Sequence, residues 1–317
     1  MKAIRLHKRG GPQELFYEEA PRPTLRAGDA LVRVYASGIT FAELTWDETY
    51  QTEDGASRLP SIPGHEVSGI VEEVSASVPL LKAGAAVYGL TSFSRDGAAA
   101  ELVAVRAEDL APKPRSLDHE HAAAVPLAAL TAWQGLFDHA ALEKGQSVLI
   151  HGAAGGVGTY AVQLAHWRGA RVTATAAARD AATLRQLGAD EIIDYKTERF
   201  EDRTGKVDAV FDAIGGDTRT RSWQVLRAGG TLVTLPGPIP EEEEKQHEAR
   251  GVFFIVKPSR EQLATIAQLI DESKLRVLLS EVLPLQRARE AFELGASVRK
   301  PGKIVLQVSR QAGEVAA

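Results

Sequence analysis

One stretch constrains the fold of this chain more than any other: residues 147–158, SVLIHGAAGGVG. A short apolar run leads into a turn rich in glycine, and the turn opens a helix. Val157, Tyr160, Ala161, Leu164 and Ala165 fall at i, i+3, i+4, i+7 and i+8, which lays one apolar stripe along that helix. The pattern continues downstream. Strands are expected at 171–175, 191–193, 207–211, 230–235 and 251–256, with helices at 179–187 and near 218–226. Strands and helices in alternation build βαβ units, hence a parallel sheet covered on both faces. Where such a unit begins, the N–H groups of the helix start carry partial positive charge and hold phosphate. Ala153 takes the first position of the strict G-x-G-x-x-G pattern, so the turn taken alone also reads as a tight strand–helix connection. Inside a complete βαβ unit it predicts dinucleotide binding, with Ala154, Gly155, Gly156 and Val157 at the pyrophosphate. Gly158 then lets helix and strand pack closely.

The end of the second strand separates the two nicotinamide dinucleotides. An NAD site places a carboxylate there for the ribose 2′-hydroxyl. Here the strand runs out through Ala176, Ala177 and Ala178, and Arg179 follows. A planar guanidinium at that place pairs with a 2′-phosphate, which predicts NADP(H). The alternative is that Arg179 is only a first-turn residue of the next helix.

Ahead of this α/β half lies a β-rich one. Strands are expected at 2–6, 30–35, 67–74 and 85–90, punctuated by Pro12, Pro21, Pro23, Pro60 and Pro63 as in small barrels and sandwiches. A mostly loop segment, 40–63, interrupts them, and the Ala- and Leu-rich residues 119–141 read as helix. Beyond the βαβ units, 241–244 reads as a solvated turn of four glutamates. Leu263, Ile266, Ala267 and Ile270 stripe a helix, and 303–308 forms a last strand.

Composition removes whole classes of function. A chain of 317 residues buries enough surface to fold without cross-links, and it has no cysteine. Disulfides, thiolate metal sites and a cysteine nucleophile are thereby excluded. Lys plus Arg is 37 against 42 Asp plus Glu, a formal charge of −5, so there is no basic excess for nucleic acid. No stretch approaches about eighteen uncharged apolar residues, so no membrane span is expected. Lys2, Arg5, Lys8 and Arg9 leave no apolar core at the start of the chain, so no signal peptide is expected either. The expectation is a cytoplasmic protein with a small-molecule substrate.

Several segments, in this order and spacing, bring a family into view. They are Ile62-Pro63-Gly64-His65-Glu66-Val67-Ser68-Gly69, Gly97-Ala98-Ala99-Ala100-Glu101, Leu130-Thr131-Ala132-Trp133 and the turn at 153–158. Leu187-Gly188-Ala189-Asp190, Asp212-Ala213-Ile214-Gly215-Gly216 and Gly302-Lys303-Ile304-Val305-Leu306 follow. The chain resembles the medium-chain dehydrogenase/reductase superfamily, and within it the zinc-independent quinone oxidoreductase branch, nearly end to end. The resemblance implies an α/β protein with two domains. A GroES-like, β-rich catalytic domain is made of 1–118 and 259–317. A Rossmann domain with a doubly wound parallel sheet occupies 119–258. A homodimer is also implied. Zinc-dependent members hold a catalytic zinc with two cysteines and the histidine of a GHE motif. This chain keeps Gly64-His65-Glu66 without any cysteine, and the segment where a structural-zinc lobe would sit, 91–96, is short. No metal site is expected; His65 and Glu66 are expected to hold their turn by hydrogen bonds.

Without a metal to polarise a carbonyl, acceptors that spread charge themselves are favoured. The resemblance implies the same: NADPH-dependent hydride transfer to a quinone or an α,β-unsaturated carbonyl. Alternatives are an alcohol dehydrogenase-like carbonyl reductase and a non-catalytic NADPH-binding protein. By resemblance, Thr131 reaches the cofactor near the nicotinamide ribose, and Gly215 allows its close approach. Leu235, Pro236, Phe254 and Val256 flank the nicotinamide, while Tyr195 and Lys303 contact the adenosine phosphate side. Thr40 stands where related reductases often carry asparagine. Thr40, Tyr50 and Thr131 are the catalytic candidates, with Glu43 a further polar group on the substrate side and Trp46 a candidate apolar wall.

Overall fold

Val148, Leu149 and Ile150 are fully buried. A strand buried on both faces needs cover above and below it, and in the computed structural model these residues lie at the centre of a parallel sheet. The structure describes residues 1–52, 54–76, 81–297 and 300–309. The chain opens with an antiparallel hairpin, β1 (Lys2–Leu6) and β2 (Leu15–Glu19). There follow β3 (Asp29–Gly38), β4 (Glu66–Val74), β5 (Ala86–Leu90), β6 (Leu102–Arg106) and β7 (Leu110–Pro112). Helices α1 (His119–Ala123) and α2 (Pro126–Trp133) lead into the βαβ units. These are β8 (Ser147–His151), α3 (Gly158–Arg168), β9 (Arg171–Ala176), α4 (Ala181–Gln186), β10 (Glu191–Asp194), α5 (Phe200–Arg203) and β11 (Val207–Asp212). Next come α6 (Gly216–Ser222), β12 (Leu226–Thr234), α7 (Glu241–Lys245) and β13 (Arg250–Phe253). The chain closes through α8 (Arg260–Asp271), β14 (Leu279–Pro284), α9 (Ala288–Ser297) and β15 (Lys303–Gln307).

Among the described residues, one six-stranded parallel sheet has the order β10-β9-β8-β11-β12-β13. This is the doubly wound order. Its direction reverses between β8 and β11, and ligands of such sheets bind there, outside the carboxyl ends of the strands. Beside the β1–β2 hairpin, a seven-stranded sheet has the order β14-β15-β3-β4-β5-β7, with β6 also on β3. Antiparallel pairing of Leu306 with Ser37 joins the end of the chain to its beginning, so the β-rich unit is built from both. The α/β architecture, GroES-like plus Rossmann, is as the sequence implies.

The Rossmann core of Ile150, Tyr160, Leu164, Val172 and Phe211 continues without a break into Tyr88, Leu90 and Ala111 of the other sheet. The Tyr88 hydroxyl donates to the Leu263 carbonyl at 2.6 Å. The apolar stripe of α8 packs into this shared core, and Arg260 at its start donates to the Leu110 carbonyl of β7 at 2.6 Å. A second core of Ile4, Leu6, Tyr50, Phe292 and Leu306 lies within the β-rich unit.

Three expected elements differ. Pro126 lacks the N–H that an unbroken helix over 119–141 requires, and instead opens α2; residues Gln134–His139 then wind as a π-helix. The glutamate run is the start of α7 rather than a turn, its charges at the positive end of the helix dipole and Glu241 paired with Lys245. The strand expected at 251–256 ends at Phe253, leaving Phe254 and Val256 beyond the sheet. Strands β2, β6, β7 and β14 and helix α9 were not anticipated. No helix among the described residues is long and apolar enough to cross a membrane.

Candidate active site

The crevice at the switch point is bounded by two turns that the backbone fixes. On one side β8 ends at His151, which is fully buried. Its Nδ1 lies 3.0 Å from Thr175 Oγ1 and its Nε2 2.9 Å from Ser222 Oγ, tying the strand end to β9 and α6. Burial pulls its pKa down to about 4, so the ring is neutral. The glycine turn follows. A Cβ on Gly158 would stand 2.2 Å from the Gly152 carbonyl oxygen, so only glycine lets α3 start this close to the strand. In the first turn of α3, Thr159 donates its N–H to the Gly155 carbonyl at 3.0 Å, and Tyr160 and Ala161 donate to the Val157 carbonyl at 3.1 and 3.0 Å.

On the other side β11 ends at Asp212. Its Oδ1 accepts the N–H groups of Ile214 and Gly215, each at 2.9 Å, and its Oδ2 accepts the Thr234 hydroxyl at 2.8 Å. The turn so held puts Gly215 at φ +77° with Pro236 close by, a conformation L side chains rarely adopt. Leu235 donates its N–H to the Asp212 carbonyl, so Leu235, Pro236 and Gly215 form one wall. Phe254 packs on His139 with ring centres 4.4 Å apart and approaches Gly135, while Val256 is buried in the core. At the far end of β9, Tyr195 donates its N–H to the Ala176 carbonyl at 3.3 Å, and Arg179 lies three residues on. Both side chains are largely exposed. His151 and Asp212 escaped the sequence reading. The signal for Asp212 was there: an acid directly before a glycine-bearing turn at a strand end.

The β-rich unit brings a cluster of buried side chains to the same crevice. Lys303 lies under the glycine turn, where its stem would touch a Cβ on Gly156 at 2.7 Å. Its ammonium donates to the Ile39 carbonyl at 2.9 Å and to Thr40 Oγ1 at 3.2 Å, and it pairs with Glu66 Oε2. Glu66 Oε1 accepts the Leu127 N–H at 3.0 Å. Beside this pair, Glu43 Oε2 accepts the Gly64 N–H at 3.0 Å and stands 3.7 Å from His65 Nε2. Burial pushes the Glu43 carboxyl up to about 8 and the His65 imidazole down to about 3, so both are neutral at pH 7. His65 Nδ1 meets Thr91 Oγ1 at 3.0 Å, and its ring lies between Trp46 and Phe93. His65 and Glu66 thus do hold their segment by hydrogen bonds and pairing.

The three catalytic candidates fare differently. Tyr50 is 3% exposed, and its hydroxyl donates to the Leu44 carbonyl at 2.7 Å, with the Gly10 carbonyl at 3.2 Å. It is a core residue of the β-rich unit, and the expectation of a substrate-side role is corrected. Thr131 is buried, and its hydroxyl donates to the Leu127 carbonyl one turn back at 2.6 Å, so that proton is committed inside α2. Thr40 is half-buried and accepts from Lys303. Lys303 itself lies inside the cluster and not on the adenosine side implied for it. A groove of about 570 Å³ elsewhere, lined by Arg5, Arg22, Arg58 and Arg95, shares no residue with these turns. Its Arg5, Arg22 and Arg95 are paired with Glu18, Glu72 and Asp29.

Known proteins agree with this geometry. Residues 26–115 match the alcohol dehydrogenase GroES-like domain family, and residues 187–306 match the zinc-binding dehydrogenase family. A protein of Arthroderma benhamiae described as a mitochondrial zinc-binding oxidoreductase is 33% identical over 306 residues, covering 91% of each chain. A chloroplastic NADPH-dependent alkenal/one oxidoreductase of Arabidopsis thaliana is 32% identical over 295 residues, covering 90% of this chain and 73% of that one. Among solved structures, the quinone oxidoreductase of Coxiella burnetii superposes with a TM-score of 0.91 at 32% identity, over 98% of this chain and 99% of that one.

Zinc, present in two of those descriptions, does not suit the donors here. His65 Nε2 stands 3.7 Å from Glu43, the Lys303 ammonium occupies the same cluster, and no three His, Asp or Glu side chains among the described residues converge. A dinucleotide does suit the crevice. Its turns carry glycine at 155, 156, 215 and 216, and among the described residues nothing lies within 4 Å of a Cβ placed on Gly216. By sequence and by fold, the chain belongs to the medium-chain dehydrogenase/reductase superfamily, on its quinone oxidoreductase branch.

Proposed function

We propose that this protein is an NADPH-dependent oxidoreductase that reduces a quinone or an α,β-unsaturated carbonyl without a metal. The observation that carries the reading is the pairing of a dinucleotide crevice with a buried polar cluster built around the Lys303 ammonium. Bound in the crevice, the dinucleotide supplies a hydride at its nicotinamide ring. The turn at 154–157 that opens α3 holds the pyrophosphate, and Gly215 with Pro236 and Leu235 forms the wall against the nicotinamide. Arg179, just past β9, and Tyr195, just past β10, take the adenosine 2′-phosphate, which favours NADPH over NADH. Trp46 and Phe93 exclude water from the inner end of the crevice.

The acceptor class follows from what the cluster lacks. With no Lewis acid, a simple ketone or aldehyde leaves the developing alkoxide poorly stabilised. A quinone or enone delocalises that charge over its own π system. The names of the Coxiella burnetii and Arabidopsis thaliana relatives point the same way. NADPH oxidation with a quinone or an enone tests the reading: turnover is expected, and tight NADPH binding with no turnover on any acceptor would instead mark a nucleotide-binding protein. The cofactor preference has its own test. Arg179→Ala should weaken NADPH binding by about 10- to 100-fold, the worth of charge-assisted hydrogen bonds to phosphate, and leave NADH binding unchanged in a fluorescence titration.

A further inference from the structure

The hydroxyls of Tyr50 and Thr131 donate to backbone carbonyls, whereas that of Thr40 accepts. Its Oγ1 takes a hydrogen bond from the Lys303 ammonium at 3.2 Å, and among the described residues its own proton has no acceptor. Thr40 lies two residues past β3, half-buried, where it opens the 3₁₀ turn Phe41–Thr45. The ammonium behind it is fixed on three sides, by Ile39, Thr40 and Glu66, and Glu66 is anchored in turn by the Leu127 N–H at 3.0 Å. A hydroxyl that accepts from a cation in a low-dielectric site is polarised, and it donates more strongly to a partner on its open side. The lysine stem against Gly156 places this donor next to the turn that holds the dinucleotide.

We propose that Thr40 is the catalytic hydrogen-bond donor to the acceptor's carbonyl oxygen, its hydroxyl polarised by Lys303, which Glu66 holds in position. The proposal rests on the hydride-transfer reading above and narrows its substrate to acceptors with an oxygen conjugated to the carbon that receives hydride. For an enone, the hydride and its electron pair add to the β-carbon. The C=C π pair shifts to the bond between the α-carbon and the carbonyl carbon, and the C=O π pair moves onto oxygen. The resulting enolate oxygen accepts the Thr40 proton as a hydrogen bond without removing it. A proton from solvent then adds to the α-carbon, giving the saturated ketone and oxidised dinucleotide. Glu66 and Lys303 are positioning residues in this scheme.

Thr40→Val keeps the shape and removes the donor, and Thr40→Ser keeps the donor. With an enone as acceptor, Thr40→Val should lower kcat by about 100-fold, the effect of deleting one oxyanion donor, while the NADPH Kd changes less than about twofold. Thr40→Ser should recover most of the rate. A binding readout accompanies the kinetics. 4-Nitrophenol, a probe whose phenolate mimics an enolate oxygen, should show a lowered pKa by absorbance when bound to wild-type protein with NADP+, and an unshifted one with Thr40→Val. Wild-type kcat retained in Thr40→Val would overturn this proposal alone. So would a raised NADPH Kd at unchanged kcat, which would make the cluster a cofactor anchor. Failure of the wild type to turn over any acceptor would overturn the parent reading and this proposal with it.

Discussion

The glycine crevice and the charge cluster meet at Lys303, yet they are built by opposite means. The crevice is a site of absent side chains: Gly156 and Gly158 leave room for the Lys303 stem and the Gly152 carbonyl pressed against them, and a Cβ on Gly216 would meet nothing within 4 Å among the described residues. The cluster is a site of present ones, drawn from residues 40–43, 64–66 and 303 and brought together only when β15 pairs with β3. A crevice made of backbone tolerates almost any change except added bulk. A cluster made of buried polar groups depends on each partner and on pH.

The largest effect should come from adding bulk to the crevice. Gly158→Val drives a side chain into the Gly152 carbonyl and the Ala153 backbone. Overpacking against main chain costs about 1–3 kcal/mol or more and displaces the phosphate turn. NADPH binding should fall by more than about 100-fold in a fluorescence titration, with a lowered Tm; unchanged binding would mean the turn does not hold phosphate.

The next effect is one of pH, acting through buried titratable groups. Burial holds His65 near 3 and His119 and His151 near 4, all below the ordinary 6.5. A histidine kept neutral in the fold but protonated in the unfolded chain leaves stability intact above pH 6.5 and lowers it as pH falls toward the folded value. Glu43 behaves in the opposite sense. Raised to about 8, its contribution is fully present below 4.5 and lost as pH climbs through 8. Each histidine should cost about 2 kcal/mol by pH 5. Denaturant melts of His119→Gln should show a flatter acid limb, and those of Glu43→Gln a flatter alkaline limb, than the wild type. Parallel curves would contradict the assignment.

The smallest effect tests the residue that left the site. Tyr50→Phe removes a hydroxyl bonded to the Leu44 carbonyl in the core, so stability should drop by about 1 kcal/mol while kcat stays within twofold. A large loss of kcat would return Tyr50 to the substrate side.

The same contrast explains what the sequence made legible. The turn at 147–158 is local: strand, glycines and helix stripe lie within twenty residues, and the order β8, α3, β9 follows from their alternation. The pairing of the β15 lysine with Glu66 spans more than two hundred residues and leaves no periodic trace. Resemblance therefore put Lys303 on the adenosine side, and its burial under Gly156 came only from the fold. Tyr50 misled for a related reason. It occurs in a stretch of irregular backbone, where an aromatic hydroxyl reads as exposed, but two tight 3₁₀ turns fold that stretch over the core and turn the ring inward. Strand β7 is three residues long and ends on Pro112, and β14 ends on Pro284, so neither shows a sustained alternation.

The central claim is that a fixed hydrogen-bond network, and no metal, supports hydride transfer to conjugated acceptors. The most direct measurement compares kcat/KM for an enone and for the corresponding saturated ketone, using NADPH and enzyme dialysed against a strong chelator. The account predicts turnover of the enone at the rate of untreated enzyme and little of the ketone. Loss of activity on chelation that zinc restores, or equal turnover of the saturated ketone, would contradict it.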